Sequence, residues 1–521
     1  MSKKFFLLFL FLFLLSQIPV LMTKFPQERE GWLSDVSYHL NTELTGSMAK
    51  GVPWGSSWSS GRGKSFYLIH HVFYKIFGIG VFQGRMVTFL FGLLLLFFVF
   101  KWGASHLSYE SAMLSTLLLA LSFSFWPFLP VVSQDIIHCL LLFGSFYLLY
   151  NAISLKRGSY YFAAGLVSAL AVENSYRGIS VVLSVYIIYA LFSNRETFLK
   201  YALYLVGGSL ATFLFWFSLN ILPMGVDNFI HYHLLVSRTE RNPDLVKMLL
   251  NEVNRLFLFV RSQKHLAKFE IIYSVFLLIL FYKYRLKLKY PFISKYIFSW
   301  LCVTFIAMSV VSQLDEQITP NYMLSYSMFI CLLCGLSLSE FLKRRRYMAM
   351  ALLAVILLSG MSYSAGRLIL YSHYYKKGHT LTDYFKKISS SIDPTKNILG
   401  DVEFWYAFPN SQYYGGVFYL GRLNHILHEL KPAYLYANDE ERATAIMNVF
   451  KKRKIEYIVS STEKDYLKDH LADYFPNHKL PERNFKLIQT VDNRSLWSNR
   501  FQQGPSCHYL IEVYRIASYE L

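Results

Sequence analysis

Two aspartates, Asp35 and Asp135, stand where this chain leaves hydrophobic runs. Asp35 lies in "GWLSDVSYHL", directly after the first run, and Asp135 lies in "VVSQDIIHCL", between the third and the fourth. A carboxylate is expensive near lipid and tends to face a cavity or pathway. Two carboxylates on one face of a membrane suit acid/base chemistry. Basic residues accompany them. "SSGRGKSFYL" carries Arg62 and Lys64 in a Gly/Ser-rich stretch, where backbone amides and a lysine can hold a phosphate. "NFIHYHLLVSRTER" adds His231, His233, Arg238 and Arg241, and "ENSYRG" adds Glu173 and Arg177. Tyr38, in the stretch that holds Asp35, joins Glu173 and Arg177 as a substrate contact.

Each residue also has a plainer use. Asp35 could cap a helix that starts at "SDVSYHL". Asp135 could solvate a tight turn, Arg62 and Lys64 could anchor to headgroups, and Glu173 with Arg177 could form an ion pair at a helix end. His231 and His233 could sit at the interface without binding metal. A divalent metal stays open as a cofactor, and no other cofactor is expected.

The elements that must position these residues are apolar. Of the 521 residues, 54% are hydrophobic and only 16% are charged, against roughly 25% charged in a soluble domain. Runs at 5–22, 86–104, 111–131, 137–154, 160–173, 178–193, 201–222, 270–284, 295–312, 322–341 and 347–370 read as about eleven transmembrane helices. Basic residues mark alternate connections, at Lys3/Lys4, Lys101, Lys156/Arg157, Arg195/Lys200, 283–295 and "KRRR". The positive-inside rule then puts the N-terminus in the cytoplasm and the C-terminus outside, in a cytoplasmic (inner) membrane. Long outer loops follow at 23–85 and 223–269.

The net charge of +19 does not indicate nucleic acid, because only +3 of it falls in residues 372–521 and the rest marks loops between spans. Cys331 and Cys334 have C-x-x-C spacing but lie in an apolar helix without further ligands. After residue 371 the pattern changes. Strand-like runs at 396–402, 454–461 and 508–516 alternate with the amphipathic stretches "TDYFKKISSSI" and "EERATAIMNVFKKRK". The expected organisation is a membrane domain, 1–371, and an extracytoplasmic α/β domain, 372–521.

Carboxylates, phosphate-sized basic groups and aromatic surface on one face fit a substrate with a lipid tail, a phosphate and a polar group to be transferred. Over residues 1–345 the chain resembles the GT-C membrane glycosyltransferases, in the branch that holds protein O-mannosyltransferases and the aminoarabinose transferase of lipid A. In that branch an Asp-Glu pair follows the first span; here Asp35 matches the Asp and Val36 stands in place of the Glu. A Lys-Pro resembles Lys64-Ser65, the Arg opening the second span resembles Arg85 in "GRMVTFLFG", and the acidic residue of the second outer loop resembles Asp135. The Tyr opening a late span resembles Tyr322 in "ITPNYMLSYSMFICLLCG".

The resemblance implies sugar transfer from a polyprenyl-phosphate donor to a lipid, protein or glycan acceptor. It places the general base on Asp35, with Asp135 orienting the acceptor or assisting. Lys64 and Arg85, with Arg62 and Arg238, would hold the donor phosphate, and Tyr322 would contact substrate. A polysaccharide polymerase or ligase and a lipid-linked sugar transporter are the alternatives. A transporter usually places ionisable residues at mid-membrane in repeated halves, and this chain shows neither.

Overall fold

A computed structural model describes residues 3–23, 30, 33–34, 37–38, 64–122, 125, 129–175, 177–218, 222, 265–284, 291–312, 322–376, 380–415, 438–462, 467–476, 479–492 and 510–520. The apolar runs form α1 (Lys3–Thr23), α3 (Val81–His106), α4 (Tyr109–Leu121), α5 (Gln134–Leu155), α6 (Gly158–Asn174), α7 (Gly178–Phe192) and α8 (Arg195–Trp216). They continue as α9 (His265–Tyr284), α10 (Pro291–Ser312), α11 (Tyr322–Arg344) and α12 (Arg346–Lys376). The amphipathic α2 (Lys64–Phe77) precedes α3.

Each of the eleven expected spans therefore has a helix. By length and composition, α3, α5, α8, Pro291–Ser309 of α10 and Leu324–Arg344 of α11 are able to cross a membrane, and shorter apolar helices accompany them. The expected span 111–131 is the main departure. Its helix stops at Leu121, where Ser122 turns extended and donates its amide back to the Leu119 carbonyl.

Two compact units emerge from the contacts: Met1–Gln17, Gly61–Phe66 and Met86–Leu368 form one, and Ile18–Ser60, Tyr67–Arg85 and Ile369–Leu521 form the other. The first is a helical bundle. α11 is enclosed almost throughout, whereas α8 turns Leu199, Leu203, Leu210 and Phe215 outward, as a lipid-facing helix does. Helices approach closely through small residues. A Cβ on Gly165 of α6 would fall on the Leu205 carbonyl of α8, and one on Gly208 of α8 would fall on the Phe162 carbonyl of α6. Such reciprocal small-residue contact lets helix backbones meet where lipid gives no hydrophobic drive.

The second unit carries a five-stranded sheet of β1 (Asn397–Gly400), β2 (Tyr413–Gly415), β3 (Ile455–Ser461), β4 (Phe485–Asp492) and β5 (Leu510–Ile516). The order is β2-β1-β3-β5-β4; β1 runs parallel to β2 and β3, and β5 runs antiparallel to β3 and β4. Helices α13 (Leu381–Ser389), α14 (Asp439–Arg453) and α15 (Leu467–Ala472) complete it. α14 places Ile446, Met447 and Phe450 in a core with Leu399, Ile455 and Ile458.

The strand-like runs thus become β1, β3 and β5, as an α/β reading requires. The contacts divide the chain between Leu368 and Ile369, and the first loop groups with the C-terminal segment rather than with the bundle. Buried polar contacts account for that. Ser34 Oγ lies 2.6 Å from Tyr406 Oη, and Tyr74 of α2 donates to Ser34 at 2.8 Å.

Candidate active site

Within the bundle, Ser133 caps α5 by accepting from the Asp135 amide at 3.1 Å. This sets Asp135 in the first turn, where the helix dipole favours a negative charge. Its partner comes from the corner between α6 and α7. Gly178 opens α7 so close to α6 that a Cβ there would fall on the Ala171 carbonyl. The tight return brings Arg177 Nη1 within 2.6 Å of Asp135 Oδ1, and both side chains are buried. The other carboxylate oxygen, Oδ2, accepts from the Ser133 hydroxyl.

Glu173 takes a different partner. It accepts from the Ser65 amide at 2.9 Å and from the Ser65 hydroxyl, so a buried carboxylate meets the first turn of α2, where amides lack helical partners. Among the described residues, Glu173 is also the one charged side chain lining a cavity of about 330 Å³ between α6, α7 and α8, whose walls include Val172, Val182, Leu210, Phe213 and Trp216. Beside it, Asn174 Nδ2 donates to the Gln134 carbonyl at 3.2 Å. Asp135, Glu173 and Arg177, three residues expected in a site, thus fall within one polar region of the bundle.

In the second unit, Arg85 is completely buried. Its Nε and Nη2 meet the two carboxylate oxygens of Glu30 at 2.9 and 3.1 Å, and Nη1 donates to the Leu21 carbonyl at 3.1 Å. Arg85, expected to hold the donor phosphate, makes an internal bidentate pair with Glu30 in the structure. Tyr38 donates to Asn410 Oδ1 at 3.3 Å, and its ring stands 5.4 Å from Lys75 Nζ. His71 Nδ1 lies 2.9 Å from the Ser37 carbonyl. Burial pushes the Tyr74 and Tyr406 hydroxyls well above their ordinary titration range, with Glu30 pushing the same way.

Asp35, Arg62 and Arg238 and the side chains of Lys64 and Tyr322 lie outside the described residues. Among the described residues no three His, Cys, Asp or Glu side chains converge as metal ligands, and His231 and His233 lie outside them. Glu30, Gln134, His138 and Asn174 belong to these polar regions and are not singled out by the sequence. Gln134, Asp135 and His138 recur at helical spacing in "QDIIH", a pattern that marks one polar face at the start of an apolar helix.

The whole chain is similar to crystal structures of ArnT from Cupriavidus metallidurans. With the form bound to undecaprenyl phosphate the TM-score is 0.65 at 13% identity, over 100% of this chain and 99% of that one. The chain has the fold of these ArnT structures. The apo form of the same ArnT gives a TM-score of 0.63 at 13% identity, over 99% of each chain. The family model described as dolichyl-phosphate-mannose-protein mannosyltransferase matches residues 65–220 of this chain, from α2 through the end of α8. No curated protein sequence matches it.

Proposed function

We propose that this GT-C chain is an integral membrane glycosyltransferase that moves a sugar from a polyprenyl-phosphate carrier to an acceptor on the outer face of the cytoplasmic membrane. The buried Asp135–Arg177 pair at the corner of α5, α6 and α7 carries the reading, in a fold whose ArnT relative binds undecaprenyl phosphate. In such a reaction the acceptor oxygen or nitrogen attacks the anomeric carbon and the bond from that carbon to the phosphate oxygen breaks. Polyprenyl phosphate departs with the electron pair, and the acceptor proton passes to a base.

Asp35 takes the base role, on the sequence resemblance. Asp135, held by Arg177 and Ser133, is a fixed acceptor rather than a wandering one, which suits it to orient the acceptor's attacking group. Lys64, Arg62 and Arg238 neutralise the departing phosphate, and Tyr38, Glu173, Arg177 and Tyr322 contact or frame the substrate. Arg85 serves as a positioning residue through Glu30. The orientation has the N-terminus in the cytoplasm and residues 372–521 outside.

The test incubates the reconstituted protein with undecaprenyl-phosphate sugars labelled in the sugar, together with envelope lipids and proteins. Label leaving the carrier for an acceptor supports the reading. Label that stays on the carrier but crosses the membrane indicates a transporter instead.

A further inference from the structure

Three side chains around the Asp135–Arg177 pair carry buried polar atoms without a hydrogen-bond partner: Gln134 Nε2, Asn174 Oδ1 and both ring nitrogens of His138. All three residues are at least 96% buried. They share one place. Gln134 and His138 are four residues apart on α5 and so face the same way, and Asn174 reaches the Gln134 carbonyl at 3.2 Å. His138 feels the charges of both Asp135 and Arg177. The orientation of the Asn174 amide is fixed, because turning it over would set two oxygens against each other at Gln134.

A buried polar atom left unmet costs free energy, so such atoms are ordinarily met by water or by a ligand. The four atoms form a mixed set. Gln134 offers a donor and Asn174 an acceptor, while a neutral imidazole offers one of each. A phosphate or carboxylate, which only accepts, would leave the Asn174 oxygen and a ring lone pair unmet. A cation would leave the donors unmet, and a polyprenyl chain would meet none of them. A hydroxyl both donates and accepts. Asp135 and Arg177 neutralise each other and the Glu173 carboxylate is met by the Ser65 amide and hydroxyl, so the place calls for no added anion.

We infer that Gln134, His138 and Asn174 form a hydroxyl-reading subsite for a neutral sugar ring beside the Asp135–Arg177 pair. This rests on the glycosyltransferase reading and adds to it where the sugar, as distinct from the lipid phosphate, is recognised.

The test compares binding of undecaprenyl phosphate with binding of undecaprenyl-phosphate mannose and undecaprenyl-phosphate arabinose by the full chain in nanodiscs. A third arm adds a free disaccharide to the bare carrier. Wild type is expected to bind a sugar-bearing carrier more tightly than the bare one. His138→Phe removes only atoms that have no protein partner, so thermal stability should hold or rise while the preference for the sugar-bearing carrier shrinks about 3–10-fold. Affinity for bare undecaprenyl phosphate should not move. Gln134→Met should act in the same direction.

If the free disaccharide shows the His138 dependence and the linked sugar does not, the sugar ring read here belongs to the acceptor. Equal binding of sugar-bearing and bare carriers by wild type, with no effect of disaccharide, would overturn the subsite. So would an unchanged preference in His138→Phe, which would leave these atoms to ordinary hydration. Binding needs no turnover, so a wild type that selects the sugar yet transfers none would retire the transfer reading and keep the subsite.

Discussion

Arg177 Nη1 stands 2.6 Å from Asp135 Oδ1 with both side chains buried, although 42 residues separate them. A buried pair of this kind contributes little net stability compared with apolar residues of similar volume, but losing one partner leaves a charge stranded. Asp135→Asn and Arg177→Gln should each lower stability by about 3–5 kcal/mol. The double variant Asp135→Leu/Arg177→Met should recover most of that stability and none of the transfer. Thermal unfolding in nanodiscs, paired with a transfer assay, checks both halves. A double variant that regains activity would show the pair to be architecture alone.

Arg85 and Glu30 invite a similar substitution with a different outcome. Removing either partner should cost about 3–5 kcal/mol, since each is sealed from solvent. For Arg85→Met, activity per folded molecule should fall through kcat, with KM for the carrier nearly constant. A KM rising tenfold or more at unchanged kcat would restore a direct phosphate contact to Arg85.

Tyr74 and Tyr406, joined through Ser34, should weaken the second unit at high pH. Burial raises both hydroxyls, so the folded protein keeps their protons where an unfolded chain would lose them. With folded values above unfolded ones, their contribution is complete below about pH 10 and is lost as pH rises beyond it. Stability measured from about pH 9 to pH 11 should fall, and it should fall less steeply in Tyr74→Phe/Tyr406→Phe. At neutral pH that double variant should be less stable by about 1–3 kcal/mol for the lost hydrogen bonds. Parallel pH profiles for the two proteins would refute this account.

Gly178 tests how the site is set in place. Alanine there would drive its methyl into the Ala171 carbonyl, so the corner between α6 and α7 must open. Gly178→Ala should cost about 1–3 kcal/mol and should reduce transfer beyond the loss of folded protein, because Arg177 is the next residue. Gly165→Ala, which crowds Leu205, should cost stability by a similar amount while sparing activity per folded molecule.

The apolar spans were legible because each needs only local composition, and the C-terminal sheet was legible because the periodicity changes after residue 371. Strands β1, β3 and β5 announce themselves through β-branched and aromatic runs, whereas β2 has three residues, too few for a pattern. The early end of α4 at Ser122 was not legible, because the run stays apolar past it. Asp135, Glu173 and Arg177 could be picked out as charges in apolar surroundings, but their partners could not. Glu173 turns to Ser65, 108 residues away, and Ser34 meets Tyr406 across 372 residues, each through one small hydroxyl with no periodic signal. The Glu30 partner of Arg85 was not legible either, because an arginine at the start of a span gives no sign of which carboxylate it holds.

The most direct measurement is sugar transfer from labelled undecaprenyl-phosphate sugars by wild type, Asp35→Asn and Asp135→Asn, at matched amounts of folded protein. Wild type should transfer label, Asp35→Asn should lose at least about a hundredfold, on the order of a general base's contribution, and Asp135→Asn should lose transfer clearly. Transfer by Asp35→Asn at the wild-type rate would contradict the assignment of the base, and a wild type that moves no label from any carrier would contradict the function.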